Sequence, residues 1–271
     1  MLSFASITPH PPVIIPTVGQ KEDLKKVGKT IEAMEKLREG IESARPETLI
    51  LISPHGPVGF GEMGLIKSEK LNGELSVFGD FETKLSFENN KDICRKIAAE
   101  CKNSKIPLRT YNRPNLDHGS LVPLYYLTKN LKPKVVPMAY SMLDIDSHFL
   151  LGKILSDIAK GDKNRIGIIA SGDLSHRLLP EAPAGYSPQG KEFDEKLIEF
   201  LKEKNIEGIL NMDEGLIEKA GECGYRSIII LLGVLSGLEL GSWKSDVISY
   251  EGPFGVGYLV ANFKLKFYGD N

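Results

Sequence analysis

The chain has 271 residues, 41% apolar and 26% charged, with 34 Lys and Arg against 36 Asp and Glu and a net charge of −2. That length supports a full hydrophobic core, which removes disulfide-stapled and zinc-stabilised miniature folds. The even charge balance argues against nucleic acid or an anionic membrane as the main partner. Three cysteines, Cys94, Cys101 and Cys223, are too sparse and odd in number for an oxidised framework, so a reducing cytoplasm is the expected compartment.

The amino terminus lacks the basic region and cleavage site of a signal peptide. The longest apolar stretch, 227–240, is interrupted by Gly and Ser and falls short of the ~18–20 residues of a membrane span.

In chain order, residues 4–9 read as a first strand and 20–44 as an amphipathic helix. The continuous apolar run 47–53 lies between Pro46 and Pro54 and suits a strand buried on both faces of a parallel sheet. Residues 61–88 alternate apolar and polar about Asn72-Gly73, a hairpin signal. Helical patterns come next at 90–103 and 121–131, strand-like runs at 134–138 and 165–170, and helices at 146–160, 189–205, 206–211 and 226–237. Cys94 and Cys101, seven apart, share one buried helical face.

The stretch 245–267 reads as two strands joined by a Gly-Pro-Phe-Gly turn at 252–255. Strands alternating with helices of this length predict an α/β fold. The expectation is one three-layer αβα domain over 1–271, with a mixed central sheet and β-hairpin additions. The proline-rich loop 178–188, with Tyr186, is a candidate lid.

Four of the five histidines recur in one setting. His10 and His55 follow strands through Pro9 and Pro54, His176 follows the 165–170 strand, and His118 precedes a helix. In open α/β sheets ligands bind beyond the carboxyl ends of the strands, so these four are expected to converge on one crevice. His148 sits among apolar helical neighbours and is set aside as structural. Imidazole binds Fe, Zn, Cu and Ni and titrates near neutrality. Two histidines and one anion make a facial site with open positions, and spacing leaves Asp117, Asp173, Glu218, Glu222, Glu251 and Cys223 as the supply of anions.

Gly59-x-Gly61-x-x-Gly64 matches a dinucleotide fingerprint, but the residues after it are hairpin-like rather than helical. No nucleophile elbow, P-loop or H-E-x-x-H motif occurs, which weakens a third alternative, a zinc hydrolase built on the same histidines.

Thr8-Pro9-His10-Pro11-Pro12, Ser53-Pro54-His55-Gly56, Leu116-Asp117-His118-Gly119 and Ser171-Gly172-Asp173-Leu174-Ser175-His176 resemble, in order, the histidine motifs of the class III extradiol ring-cleavage dioxygenases. This is the family of the protocatechuate 4,5-dioxygenase catalytic subunit and the DOPA dioxygenases. The resemblance covers most of the chain and implies a single αβα domain, a homodimer or a small accessory subunit as partner, and Fe(II) as cofactor. It also implies His10 and His55 as metal ligands, His176 as the proton-transfer residue and His118 as its aid beside a small aromatic substrate and O2.

The departure is at the third ligand, where the family places a Glu. Gly221-Glu222-Cys223-Gly224-Tyr225-Arg226 resembles instead the related Memo-like proteins, and aligns Cys223 with that position. A thiolate there tolerates Fe, Zn or Cu. Two functions are therefore open: an Fe(II)-dependent extradiol dioxygenase opening a catecholic ring, and a Memo-like metal-binding protein with a redox or protein-interaction role and no ring cleavage. Arg226 is read either as a substrate-carboxylate group or as half of an internal salt bridge.

Overall fold

The computed structural model of the protein describes residues 1–239 and 241–266. The first half of the chain runs β1 (Leu2–Thr8), α1 (Lys21–Lys26), α2 (Gly28–Ala44), β2 (Thr48–Ser53), β3 (Met63–Ile66), β4 (Lys70–Leu75), β5 (Asp80–Glu88), α3 (Lys91–Asn103) and β6 (Leu108–Tyr111). The second half runs α4 (His118–Leu127), β7 (Lys134–Ala139), α5 (Ile145–Gly161), β8 (Ile166–Ser171), α6 (Pro188–Glu203), α7 (Ile206–Leu210), α8 (Glu214–Ala220), α9 (Tyr225–Ser236), β9 (Trp243–Glu251) and β10 (Tyr258–Leu265).

Eight strands form one mixed sheet in the order β6-β3-β7-β2-β8-β1-β10-β9. Its centre, β7-β2-β8-β1, is parallel, and β3 and β10 flank it antiparallel. All six residues of β2 and of β8 are buried, which is why both read as unbroken apolar runs rather than alternating ones.

Alternation within them still divides the core. Ile50 and Ile52 pack with α3, α5, α6 and α9, whereas Leu49 and Leu51 face α2 and α4. Helices therefore cover both faces of the sheet, as the sequence predicts. Burial of each such side chain stabilises the fold by ~1.5–3 kcal/mol. Among the described residues no helix is long and apolar enough to cross a membrane.

α5 and α9 cross with their backbones in contact. A Cβ at Gly152 would lie 2.1 Å from the Ile230 carbonyl oxygen and 2.7 Å from Gly233 Cα, so neither helix has room for a side chain there.

Several local expectations give way to packing. The helix expected over 20–44 divides at Val27, whose ψ of 19° leaves the helical range while its side chain turns into the core. Asn72-Gly73 lies inside β4 rather than in a turn, because Gly73 is pressed on Leu121: a Cβ on that glycine would lie 2.3 Å from Leu121 Cδ1. The reversal comes instead at Ser76–Phe78 and Gly79, with φ of 86° at the glycine. Residues 63–66 leave the hairpin and join the main sheet as β3. β6 and α8 are additions to the sequence reading. β9 and β10 occupy the expected carboxyl-terminal pair, and Phe267, its last expected residue, lies outside the described residues. No helix follows Gly59-x-Gly61-x-x-Gly64, which leads into β3.

Candidate metal centre

β1, β2 and β8 end side by side on one edge of the sheet, with Thr8 paired to Ser171 and Ile52 to Ala170. Each strand then contributes the residue two positions past its end: His10, His55 and Asp173. His118 opens α4, whose N-cap is Asp117, and Cys223 lies two residues before α9.

Close backbone approach sets the last of these. A Cβ at Gly172 would sit 2.1 Å from Gly224 Cα, so the chain leaving β8 touches the chain entering α9. Across that contact the Cys223 N–H donates to the Asp173 carbonyl at 3.3 Å, and the Asp173 N–H points to Cys223 Sγ at 3.4 Å.

Three donor atoms converge. His10 Nε2 is 3.0 Å from His55 Nε2 and 3.7 Å from Cys223 Sγ, and all three atoms lie within 4.8 Å of one another. Bonds of ~2.0–2.1 Å from a metal to each of two cis nitrogens would separate them by about 3 Å, and a ~2.3 Å bond to sulfur suits the wider spacing. The donor set of two imidazoles and a thiol therefore fits a borderline-soft divalent ion such as Fe, Zn or Cu.

The other two expected histidines are here too. His118 stacks on His55 with centroids 4.1 Å apart and 27° between planes, and His10 meets His118 edge-on at 5.5 Å. His176 lies half-buried on the loop after β8, near enough for its charge to act on His10. Its Nδ1 is buried with no hydrogen-bond partner among the described residues. His148 belongs elsewhere: fully buried in α5, it ties down the loop after β7 through the Asp144 and Ser141 carbonyls at 2.7 and 3.0 Å.

Burial governs the charge state of the cluster. Desolvation, then the charges of neighbouring imidazoles, hold His10 well below the usual histidine range; His55 is brought down to about 4, and His118 and His176 are lowered as well. The same desolvation raises Asp173 and Glu222 to about 7 and pushes the Cys223 thiol well up, with the two carboxylates adding to it. Without a cation this pocket favours neutral rings and a protonated thiol. A divalent ion reverses that balance and releases protons as it binds.

Of the anions that spacing left open, Cys223 alone joins the two histidines in a ligand-competent group among the described residues. Glu222 turns away to accept the Tyr225 N–H at 2.5 Å, capping α9. Asp173 accepts the His10 backbone N–H at 2.9 Å, and its Oδ2 is 3.9 Å from His10 Nε2. Of the two readings of Arg226, the internal salt bridge is not formed among the described residues: no ion pair within 4.0 Å involves it, although its charge acts on Glu222, and its Nε is buried without a hydrogen-bond partner.

Beside His118 a trough of about 570 Å3 opens between the β4–β5 hairpin and the start of α4, lined in part by Asn72, Phe78, Lys84 and Asn115. Phe78 packs edge-on to His118 at 5.4 Å. Tyr186, in the loop read as a lid, is exposed.

Sequence reasoning placed Ser53, Asp117 and Ser171 in the histidine motifs, and Asp117 among the anions, but missed their role as hydrogen-bond partners around the cluster. The available signal was a serine closing the strand before His55 and another closing the strand before Asp173 and His176.

Comparison with known proteins gives the family of the chain. The family model described as the catalytic LigB subunit of aromatic ring-opening dioxygenase matches residues 4–261. Protein CA_C1420 of Clostridium acetobutylicum is 36% identical over 265 residues, 94% of this chain and 56% of that protein. A 3,4-dihydroxyphenylacetate 2,3-dioxygenase of Escherichia coli is 28% identical over 162 residues, 55% of this chain and 58% of the relative. A MEMO1 family protein of Methanosarcina mazei is 26% identical over 43% of this chain and 40% of its own length.

The chain thus spans little more than half the length of the first two relatives. In fold it is similar to an uncharacterized protein, JW3007, from Escherichia coli K12, with a TM-score of 0.68 at 18% identity over 96% of this chain and 99% of the other. The chain belongs to the family of the catalytic LigB subunit of aromatic ring-opening dioxygenases.

Proposed function

We propose that this chain is a metal-dependent extradiol-type dioxygenase that opens a catecholic ring with O2, residues 1–271 acting as one catalytic unit. His10, His55 and Cys223 would hold the metal, Fe(II) in the working enzyme. The observation that carries this reading is the approach of the two Nε2 atoms to 3.0 Å with Cys223 Sγ beside them, among further neutral histidines. When bound, Fe(II) supplies Lewis acidity toward the catechol oxygens and the electron path for dioxygen activation.

The chain's own groups do the rest. His176 is neutral at pH 7 because burial lowers its pKa, so it can accept a hydroxyl proton from the substrate. His118, stacked on His55 and lining the trough, would orient the aromatic ring and supply a proton to the substrate. The trough receives the part of the aromatic substrate that does not react. A second copy of the chain or a small accessory subunit completes the assembly.

The thiol in the third ligand position favours a second reading, a Memo-like protein that holds metal in a redox or interaction role without ring cleavage. One experiment separates the two. The protein is reconstituted anaerobically with Fe(II), and oxygen uptake is followed with a panel of catechols for wild type, Cys223→Ala and His176→Ala. Uptake with yellow products, lost in His176→Ala, establishes the dioxygenase. Tight metal binding without uptake, weakened by Cys223→Ala, moves the protein to the second reading, and no metal binding at all defeats both.

A further inference from the structure

The two candidate histidine ligands are held from behind by the same turn of helix. Ser171, the last residue of β8, places its Oγ 2.5 Å from the Gly119 carbonyl oxygen and 3.0 Å from His10 Nδ1. A carbonyl oxygen carries no proton, so the serine hydroxyl must donate to Gly119. Its lone pair then faces His10, and Nδ1 must be the protonated nitrogen of that ring. His10 Nε2 is thereby left with its lone pair on the side of His55 and Cys223. The 3.0 Å contact between the two Nε2 atoms consequently places the intervening proton on His55, and it is this proton that a cation displaces.

The second arm runs from the same turn to His55. The Ser53 hydroxyl donates to Asp117 Oδ1, and Ser53 Oγ accepts the His55 backbone N–H at 3.2 Å. Asp117 is fixed in turn by Ser120, whose N–H reaches Oδ1 at 3.0 Å and whose hydroxyl reaches Oδ2 at 3.1 Å. Residues 117–120 thus carry His118, cap α4, reach His10 through Ser171 and reach His55 through Ser53. Ser53, Ser120 and Ser171 are all fully buried, so water does not replace these contacts.

We propose that the first turn of α4 is a brace that presets the tautomer of the His10 ring, through Ser171, and the backbone position of His55, through Asp117 and Ser53, before any metal arrives, with Ser171 and Asp117 as its positioning residues. The proposal rests on the ligand reading above. Outer partners of this kind fix the tautomer and direction of a ligand ring, and their loss weakens metal binding by ~10–100-fold.

The test begins on the metal-free protein. Two-bond 1H–15N spectra of 15N-histidine-labelled chain, assigned with His10→Gln, report the tautomer of each ring. His10 is expected as the Nδ1–H form in wild type and in Ser171→Thr, and as a mixture or the Nε2–H form in Ser171→Ala. A wild-type His10 in the Nε2–H form, or a tautomer indifferent to Ser171→Ala, overturns the proposal.

Zn(II) affinity by chelator competition tests the second arm. Ser171→Ala and Asp117→Ala should each weaken binding ~10–100-fold, Asp117→Asn much less, because the amide oxygen still accepts from Ser53 and Ser120. The double variant should lose less than the product of the two single losses, since both arms act through one turn. Losses that multiply in full reduce the brace to two unrelated contacts and overturn it. Wild-type protein that binds no Zn(II) while keeping the expected tautomers defeats the ligand reading instead, so the two failures are distinguishable. Thermal melts of every variant guard against loss of fold.

Discussion

The two ends of the central sheet hold clefts of opposite character. At the amino ends of the strands a cleft of about 770 Å3 is lined by groups such as Glu47, Arg95, Lys96, Lys134 and Asp162. Its charges answer one another: Lys96 Nζ is 2.6 Å from Asp162 Oδ2, Lys134 is 3.6 Å from Glu88, and Arg95 pairs with Asp92. At the carboxyl ends the trough lined by His118 is smaller, yet in the cluster behind it burial forces four histidines toward the neutral form and raises Asp173 and Glu222 to about 7.

Size does not tell the two apart. The difference lies in whether the cleft satisfies its own polar groups. The amino-end cleft leaves little for a ligand to gain, whereas the carboxyl end keeps donors uncharged that a cation would reward.

The comparison breaks most directly by removing a candidate ligand. His55→Ala should abolish stoichiometric binding of Fe(II) or Zn(II), read by metal analysis after gel filtration, while a thermal melt of the metal-free protein still shows a cooperative transition. Retention of full metal content would end the claim that the carboxyl-end crevice is the metal centre.

Next in size come the two histidines outside the proposed ligand set. His176→Ala and His118→Ala are each expected to lower kcat by ~10²–10⁴ with metal content unchanged. Parallel loss of metal and rate would instead make them ligands.

A third prediction concerns stability. Asp194, buried in α6 with its pKa raised to about 7, accepts the Ser175 N–H at 2.8 Å and the Tyr250 hydroxyl at 2.5 Å and so anchors the loop that bears His176. A carboxyl whose pKa is higher folded than unfolded binds its proton more tightly in the native state. Its contribution to stability is therefore full below about pH 4 and is lost as pH rises toward about 7, by a few kcal/mol in total. The lowered histidines pull the other way over the same range, so the quantity to measure is the difference between wild type and Asp194→Asn by denaturant melts. That difference should close as pH rises through this window, and a flat one would refute it.

The smallest effect belongs to the amino end. Arg95→Ala breaks an ion pair exposed on both sides and should shift Tm by no more than about 2 °C with metal affinity untouched.

Much of this was legible in the residues, and for identifiable reasons. The parallel core announces itself because strands such as 48–53 and 166–171 are buried on both faces and admit only apolar residues. Histidines placed just past such strands were bound to meet, since parallel strands end on one edge. Cys223 was found through its resemblance to a motif rather than its spacing, because its approach to His10 depends on the contact between Gly172 and Gly224, 52 residues apart in sequence.

Less legible were features decided by contact at long range. Asn72-Gly73 carries the chemistry of a tight turn, yet the glycine was serving Leu121. The hydroxyls of Ser53 and Ser171 look like ordinary strand ends until Asp117 and Gly119 are brought against them from a different element.

The crossing of α5 and α9 at Gly152 and Gly233 has a consequence for how this centre can change over evolutionary time. From Tyr225, two residues after Cys223, to Gly233 is roughly 12 Å along the helix axis. Since a side chain at either glycine would meet backbone, it can be admitted only by displacing one whole helix against the other. Because Cys223 leads directly into α9, such a change would move the sulfur of the proposed metal centre from a distance, as a tuning peg alters a string without touching the place where it sounds.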